Sequence, residues 1–406
     1  MISSIDANVG ASAHDGADVE VVEGQGLWAV PGLIDTHIHL ALTGPGTLPL
    51  NLALGVTTVR DLGSDLTFLQ EQRREQEGGA AGARLLYTGP MIDGPEATWP
   101  ALVSTTADAE EAASAVEERI EAGADAIKLY TTLELESLRR CIKQADGRLP
   151  VTGHLGRTLA SEAMRAGING LEHALLTPYN DLVPEDHRTS HDELMLTPGF
   201  WQKVNVGWVA ADLAADHAKR WIDLLVERDV SFCPTLTVLP GADAPDEDAY
   251  DHLPSYRKMR EERMRLAGRQ APVLTEEIRE RLRPVREKLQ ELVRRVHQAG
   301  GRVVSGTDTG AVGVVPGFSL HMELGFLSGA GLSNMDVIRA ATSRAAEALW
   351  RDDLGTVQPG KRADILLLRA DPLADLGALR EIQHVIQDGR VLDPVDLFAE
   401  ARGTTS

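Results

Sequence analysis

The sequence predicts an α/β chain: a parallel (β/α)₈ barrel of the TIM type, with a small β-sandwich formed by the N- and C-terminal segments. Three observations predict it. Short apolar runs alternate with amphipathic helical stretches eight times between residues 31 and 350. Polar, chemistry-bearing residues close several of those runs, where a barrel keeps its functional groups. Residues 1–30 and 351–406, by contrast, read as strands and turns.

In chain order, residues 1–30 offer Ile2 to Ile5, Val19 to Val22 and Leu27 to Val30, separated by Gly, Asp and Ser. The barrel strands are expected at 33–40, 55–60, 84–92, 125–130, 149–155, 169–173, 231–238 and 302–308, with helical patterns such as 107–122 and 160–166 between them. Two connections, 174–230 and 240–300, far exceed an ordinary βα loop. Both are charged and placed to act as substrate lids, and 275–296 reads as a solvated surface helix. From Gly355 the pattern becomes turn, strand, loop, strand, turn, strand through 391, which would pair with residues 1–30.

Bulk properties remove whole classes of function. A net charge of -21 argues against nucleic acid and anionic membrane surfaces, both of which need a basic face. Two cysteines, Cys141 and Cys233, cannot staple 406 residues, which fits a reducing compartment. No secretory signal pattern and no run long enough to span a membrane is present, so the expectation is a cytoplasmic chain. Its expected partner is a small-molecule substrate, with assembly into a homo-oligomer left open.

The strand ends carry the chemistry. His37 and His39 close the first strand two residues apart, so both imidazoles face one space. Such a pair is half of a site for a borderline metal such as zinc. An isolated His-x-His is more often one packed and one solvated residue. Here, however, Lys128, His154, His173 and Asp308 stand near the ends of the fourth, fifth, sixth and eighth strands. Six polar groups on one rim are costly to bury without a shared task.

The run Pro31-Gly-Leu-Ile-Asp-Thr-His-Ile-His39 resembles the first-strand motif of the amidohydrolase superfamily of metal-dependent hydrolases. Gly55 to Asp61 is similar to its second strand, Gly170 to Ala174 to its sixth, and Ser305-Gly-Thr-Asp308 to its eighth. Pro359 to Asp364, with Asp371-Pro372, resembles its closing sandwich segment. Lys128 in Ala-Ile-Lys-Leu-Tyr resembles the subgroup of imidazolonepropionase-like, prolidase-type and ochratoxin-hydrolysing enzymes.

That resemblance implies two divalent metal ions, zinc first among them. His37, His39 and Asp308 would take one, and His154 and His173 the other. Lys128, carboxylated on its side-chain nitrogen, would bridge them, and a bridging hydroxide would attack the substrate. Asp308 would carry the proton to the leaving group. Tyr130, two residues past Lys128, would hydrogen-bond an oxyanion or a substrate carboxylate, or else pack in the barrel mouth. His321 reads as structural, and Arg60-Asp61 as an ion pair near the site. Trp208 and His217 are placed to touch substrate, and Arg157 to hold a carboxylate.

Two features depart from the superfamily pattern: the N-terminal arm is short, and residues 89–100 lack a histidine often found after the third strand. The expected reaction is hydrolysis of an amide or peptide-like C–N bond in an N-acyl amino acid, a dipeptide or a related carboxamide. Alternatives on the same site are lactone, carbamate or phosphotriester hydrolysis, and further off a decarboxylase, an isomerase or an inactive metal-binding barrel.

Overall fold

The computed structural model describes residues 1–5, 21–97, 99–189, 200–239, 276–311 and 314–403. Two strands open the chain: β1 (Trp28–Pro31) and, after Gly32, β2 (Leu33–Ile38). The barrel continues with β3 (Val56–Asp61), β4 (Arg84–Tyr87), β5 (Met91–Asp93), β6 (Val103–Thr105), β7 (Ile127–Leu129) and β8 (Val151–Gly153). It ends with β9 (Gly170–Glu172), β10 (Ser231–Cys233) and β11 (Arg302–Val303). Pairing is parallel throughout, in two runs: β2-β3-β4, and β11-β10-β9-β8-β7-β5-β6. Closure comes from the segment after β11, where Thr36 donates its N–H to Ser305 at 3.1 Å and Asp308 donates to His37 at 2.8 Å.

Three expected strands are shorter than the apolar pattern suggested, each for a visible reason. The run 84–92 breaks at Gly89-Pro90, because proline has no N–H for the ladder. The run 231–238 stops before Pro234, and Leu236–Val238 turns as a 3₁₀ helix. The run 302–308 leaves regular pairing after Val303, because its residues bond across the closure and to Ala340.

The helices fill the outer layer. Ala109–Glu121 starts at Asp108, whose carboxylate accepts from the N–H groups of Glu110 and Glu111 at 2.9 Å. The expected surface helix is Glu276–Gln298, yet Val285, Leu289, Leu292, Val293 and Val296 on its inner stripe are buried. Its charge belongs to the outer face alone. The rest of that insertion, 240–275, and residues 190–199 of the other lie outside the described residues.

At the base of the barrel, the chain ends meet. β12 (Ile365–Leu368), β13 (Ile382–Gln387) and β14 (Arg390–Leu392) join β1 in an antiparallel sheet of order β1-β12-β13-β14. Asp388 and Gly389, both at positive φ (51° and 84°), make the two-residue hairpin between β13 and β14. Ile2 lies in coil, not in a strand, but is pinned to Gly360 and Lys361 by two backbone hydrogen bonds. The strand expected over 19–22 falls partly outside the described residues, and Val21 and Val22 are in coil. Arg84, at the start of β4, reaches Asp364 at 2.7 Å and Asp388 at 3.1 Å, clasping barrel to sheet. A cavity of about 430 Å³ opens there, lined by charged residues including Arg73, Arg351 and Arg390. Among the described residues, no helix is long and apolar enough to cross a membrane.

Candidate metal centre

Parallel strands that end together place the residues just beyond them on one rim. His37 is on β2 and His39 one residue past it, with ring centroids 5.3 Å apart. Lys128 is the central residue of β7, His154 follows β8 and His173 follows β9. Asp308 arrives from the closing segment. His37 Nε2 lies 3.2 Å and His39 Nε2 3.0 Å from Asp308 Oδ1, a cluster whose donor atoms lie within 4.8 Å of one another. The His173 ring stands 4.6 Å from His37 and 4.3 Å from His154. The six residues expected from the sequence are therefore neighbours.

Two of the rings, His37 and His173, are aimed by a hydrogen bond behind them. Glu172 Oε2 lies 2.8 Å from His37 Nδ1, which leaves Nε2 facing Asp308. Thr235 Oγ1 contacts His173 Nδ1 at 2.8 Å and does the same for that ring. Glu172 is itself tied by Arg60 at 2.8 Å and Thr152 at 2.6 Å through Oε1. Burial pushes Glu172 up, but the charges of Lys128, His37 and Arg60 outweigh it and hold the carboxyl well below its usual range.

The backbone is strained where it matters. His173, Thr235 and Asp308 all adopt positive φ, 64°, 47° and 61°. Each such residue costs on the order of 1–3 kcal/mol unless its surroundings fix it. They do: His173 N–H donates to Cys233 O at 2.9 Å, and Asp308 N–H to His37 O at 2.8 Å. The approach is close elsewhere too. A Cβ at Gly306 would lie 2.5 Å from Cys233 Sγ and 2.9 Å from His37 Cβ.

These residues fit a divalent metal. Lys128 Nζ is buried and finds no hydrogen-bond partner among the described residues. Buried polar atoms are otherwise almost always satisfied. The donors are imidazole nitrogens and a carboxylate oxygen, the set that suits zinc and its neighbours. Burial drives His173 well below its usual range, so its ring is neutral and able to ligate. Burial also lowers Lys128 to about 8, favouring the neutral amine that can react with carbon dioxide.

Other expected residues have different places. Arg60 pairs with Glu172, not Asp61, and Asp61 instead accepts from the N–H groups of Leu40, Gly63 and Ser64. Trp208 is fully buried, its indole N–H donating to Leu175 O at 2.8 Å, so it is core and not a substrate contact. His217 contacts Leu182 O at 3.2 Å and His321 contacts Leu54 O at 2.9 Å, so both brace backbone. Arg157 sits on the rim between Glu96 and Glu134. Tyr130 is buried against Met91 and Leu102, with its ring edge-on to His154 at 5.1 Å.

Sequence reasoning missed Glu172 and Thr235. Glu172 left a signal, since a glutamate that ends a buried strand after Leu171 has to find a cation. Thr235 left none.

Comparison with known proteins places this geometry. Residues 28–392 match the sequence profile of the amidohydrolase family. Among solved structures, a protein assigned as a prolidase from Bifidobacterium longum is 25% identical, with 95% of this chain and 88% of that one aligned and a TM-score of 0.65. A bottromycin amidohydrolase is 23% identical over 94% of this chain and 81% of its own, with a TM-score of 0.69. A Xaa-Pro dipeptidase, solved with methionine bound in its active site, is 20% identical over 91% and 87%, with a TM-score of 0.62. No curated protein matches the chain.

Proposed function

On the premise that the chain belongs to the amidohydrolase family, we propose that it is a two-zinc hydrolase of small carboxamides: an N-acyl amino acid, a dipeptide or a close relative. Hydrolysis of C–N bonds is the family's chemistry, and divalent metals are its usual cofactor. The prolidase, dipeptidase and amidohydrolase named among the structural neighbours support the amide class of substrate.

In this reading His37, His39 and Asp308 would hold one metal and His154 and His173 the other, and Lys128, as a carbamate, would supply an anionic oxygen ligand to them. The observation that carries it is the convergence of the His37, His39 and Asp308 donors within 4.8 Å, with the buried Lys128 Nζ finding no hydrogen-bond partner among the described residues. Carbamate formation consumes the neutral amine and carbon dioxide and releases one proton. Metals bound here supply Lewis-acid polarisation of the carbonyl and an acidified water. Asp308 accepts the water proton on its carboxylate and returns it to the leaving nitrogen. Burial opposes the ionised form of Asp308, but the charge of His37 keeps its carboxyl well below the usual range, so it stays ionised. Glu172 and Thr235 hold the rings of His37 and His173 in register. Two buried, unpaired cysteines support a cytoplasmic setting.

Elemental analysis of protein purified without added metal tests this. About two equivalents of divalent metal per chain, with turnover of an amide or dipeptide that chelation abolishes, is the expected result. Full turnover in metal-free protein would refute it.

A further inference from the structure

The cavity of about 430 Å³ between the barrel and the antiparallel sheet lies away from the candidate centre. Arg84 starts β4 and Asp125 precedes β7, so one wall comes from the amino ends of parallel strands. His39, His154 and His173 follow the carboxyl ends of theirs. The facing wall is the β13–β14 hairpin, through Asp388 and Arg390. Small-molecule sites span about 300–1,000 Å³, so the space exceeds what a lone inorganic anion needs.

Five arginines line it: Arg73, Arg84, Arg351, Arg362 and Arg390. Three carboxylates, Glu77, Asp125 and Asp388, share the lining. In a chain of net charge -21, an excess of cations around one cavity runs against the composition. Four of the guanidiniums are held in place by aspartates: Arg73 by Asp125, Arg84 by Asp364 and Asp388, Arg351 by Asp353, and Arg362 by Asp388. Donors remain over. Arg84 Nε is buried and has no hydrogen-bond partner among the described residues. The Arg390 side chain forms no ion pair or hydrogen bond among them. Guanidinium groups fixed in this way match the oxygens of carboxylates and phosphates.

We propose that this cavity binds a small organic polyanion, a phosphate ester or a polycarboxylate, at the end of the barrel opposite the candidate centre. The ligand takes Arg390 and the Arg84 Nε–H as its new donors. Because Arg84 belongs to the barrel and Arg390 to the sheet, the bound anion ties the two together and stabilises the fold.

Calorimetric titration and thermal melting of the full chain at fixed ionic strength test this. Fructose 1,6-bisphosphate and tricarballylate are the probes, and sulfate is the reference. The expected result is saturable binding of one probe, weaker binding of sulfate, and a melting temperature that rises with probe concentration; the probe that binds tells phosphate ester from polycarboxylate. Arg390→Ala should weaken binding about tenfold, and Arg390→Lys should recover part of it. Arg294→Ala, which removes an exposed charge from the Glu276–Gln298 helix outside the cavity, should leave binding unchanged. Failure of both probes to bind, or a loss in Arg294→Ala equal to that in Arg390→Ala, overturns the proposal. So does binding that Arg390→Ala leaves intact, the outcome expected of an anion held at the candidate metal centre.

Discussion

His37 Nδ1 meets Glu172 Oε2 at 2.8 Å, and this contact decides which nitrogen of His37 faces the candidate centre. Replacing Glu172 with Ala is expected to weaken metal binding about 10–100-fold, read by competition with a chelator. The same change strands the buried Arg60 guanidinium, a loss of about 3–5 kcal/mol in stability. Glu172→Gln should retain more stability than metal affinity. Unchanged affinity in both variants would show that the ring is oriented by something else.

Lys128→Ala is expected to cut metal content from about two equivalents to about one or fewer, and to abolish any benefit of bicarbonate when metal-free protein is reconstituted. Metal analysis before and after reconstitution checks it. Two tightly held ions in the variant would exclude a bridging lysine.

Asp308→Asn keeps an oxygen ligand and removes the base. Metal should stay largely bound while kcat drops by about 10²–10⁴. A near-normal rate would assign the proton transfer to another group.

Stability should fall at alkaline pH because of Glu323. Burial raises this carboxyl from 4.5 to about 8, against the backbone N–H groups of Leu236 and Thr237, which pull it down. Oε1 has no hydrogen-bond partner among the described residues. The fold therefore holds a proton that the unfolded chain has released, so this contribution is full below pH 4.5 and is lost as the pH rises through about 8. Glu323→Gln, whose amide can mimic the protonated acid, should gain about 1–4 kcal/mol over wild type at pH 9 and little at pH 4.5. Denaturant midpoints at several pH values test this; a pH-independent difference would count against it.

Gly306→Ala would push a methyl group into Cys233 Sγ and His37 Cβ. The expected cost is about 1–3 kcal/mol, with metal affinity falling alongside, since the same shift displaces His37. Melting and metal titration together separate this from a purely structural defect, which would lower only the first.

The barrel was legible because parallel strands buried on both faces leave compact apolar runs, and because ligands must sit where those runs end. The structure brings His37, His39, His154, His173 and Asp308 together on that rim, with Lys128 on the strand between. Glu172 was passed over because its role depends on register: only the folded barrel brings it beside β2 and β3. Thr235 was hidden because a left-handed threonine after Pro234 has no mark in a single sequence. Trp208 misled for the opposite reason. An aromatic in an insertion looks like a substrate contact until its indole N–H is seen bonded to Leu175 in the core.

The pairing of Trp28 with Leu368 has a consequence for how the chain is made. The first described strand has its partner among the last, and the barrel seam between Ile38 and Thr309 also waits for late residues. During synthesis β2, which carries His37, can pair early with β3, but its other edge must stay open to wrong partners until residues 305–309 have emerged. Refolding should accordingly be slow and concentration-sensitive, and a nascent chain stalled before β12 should be a client for chaperones.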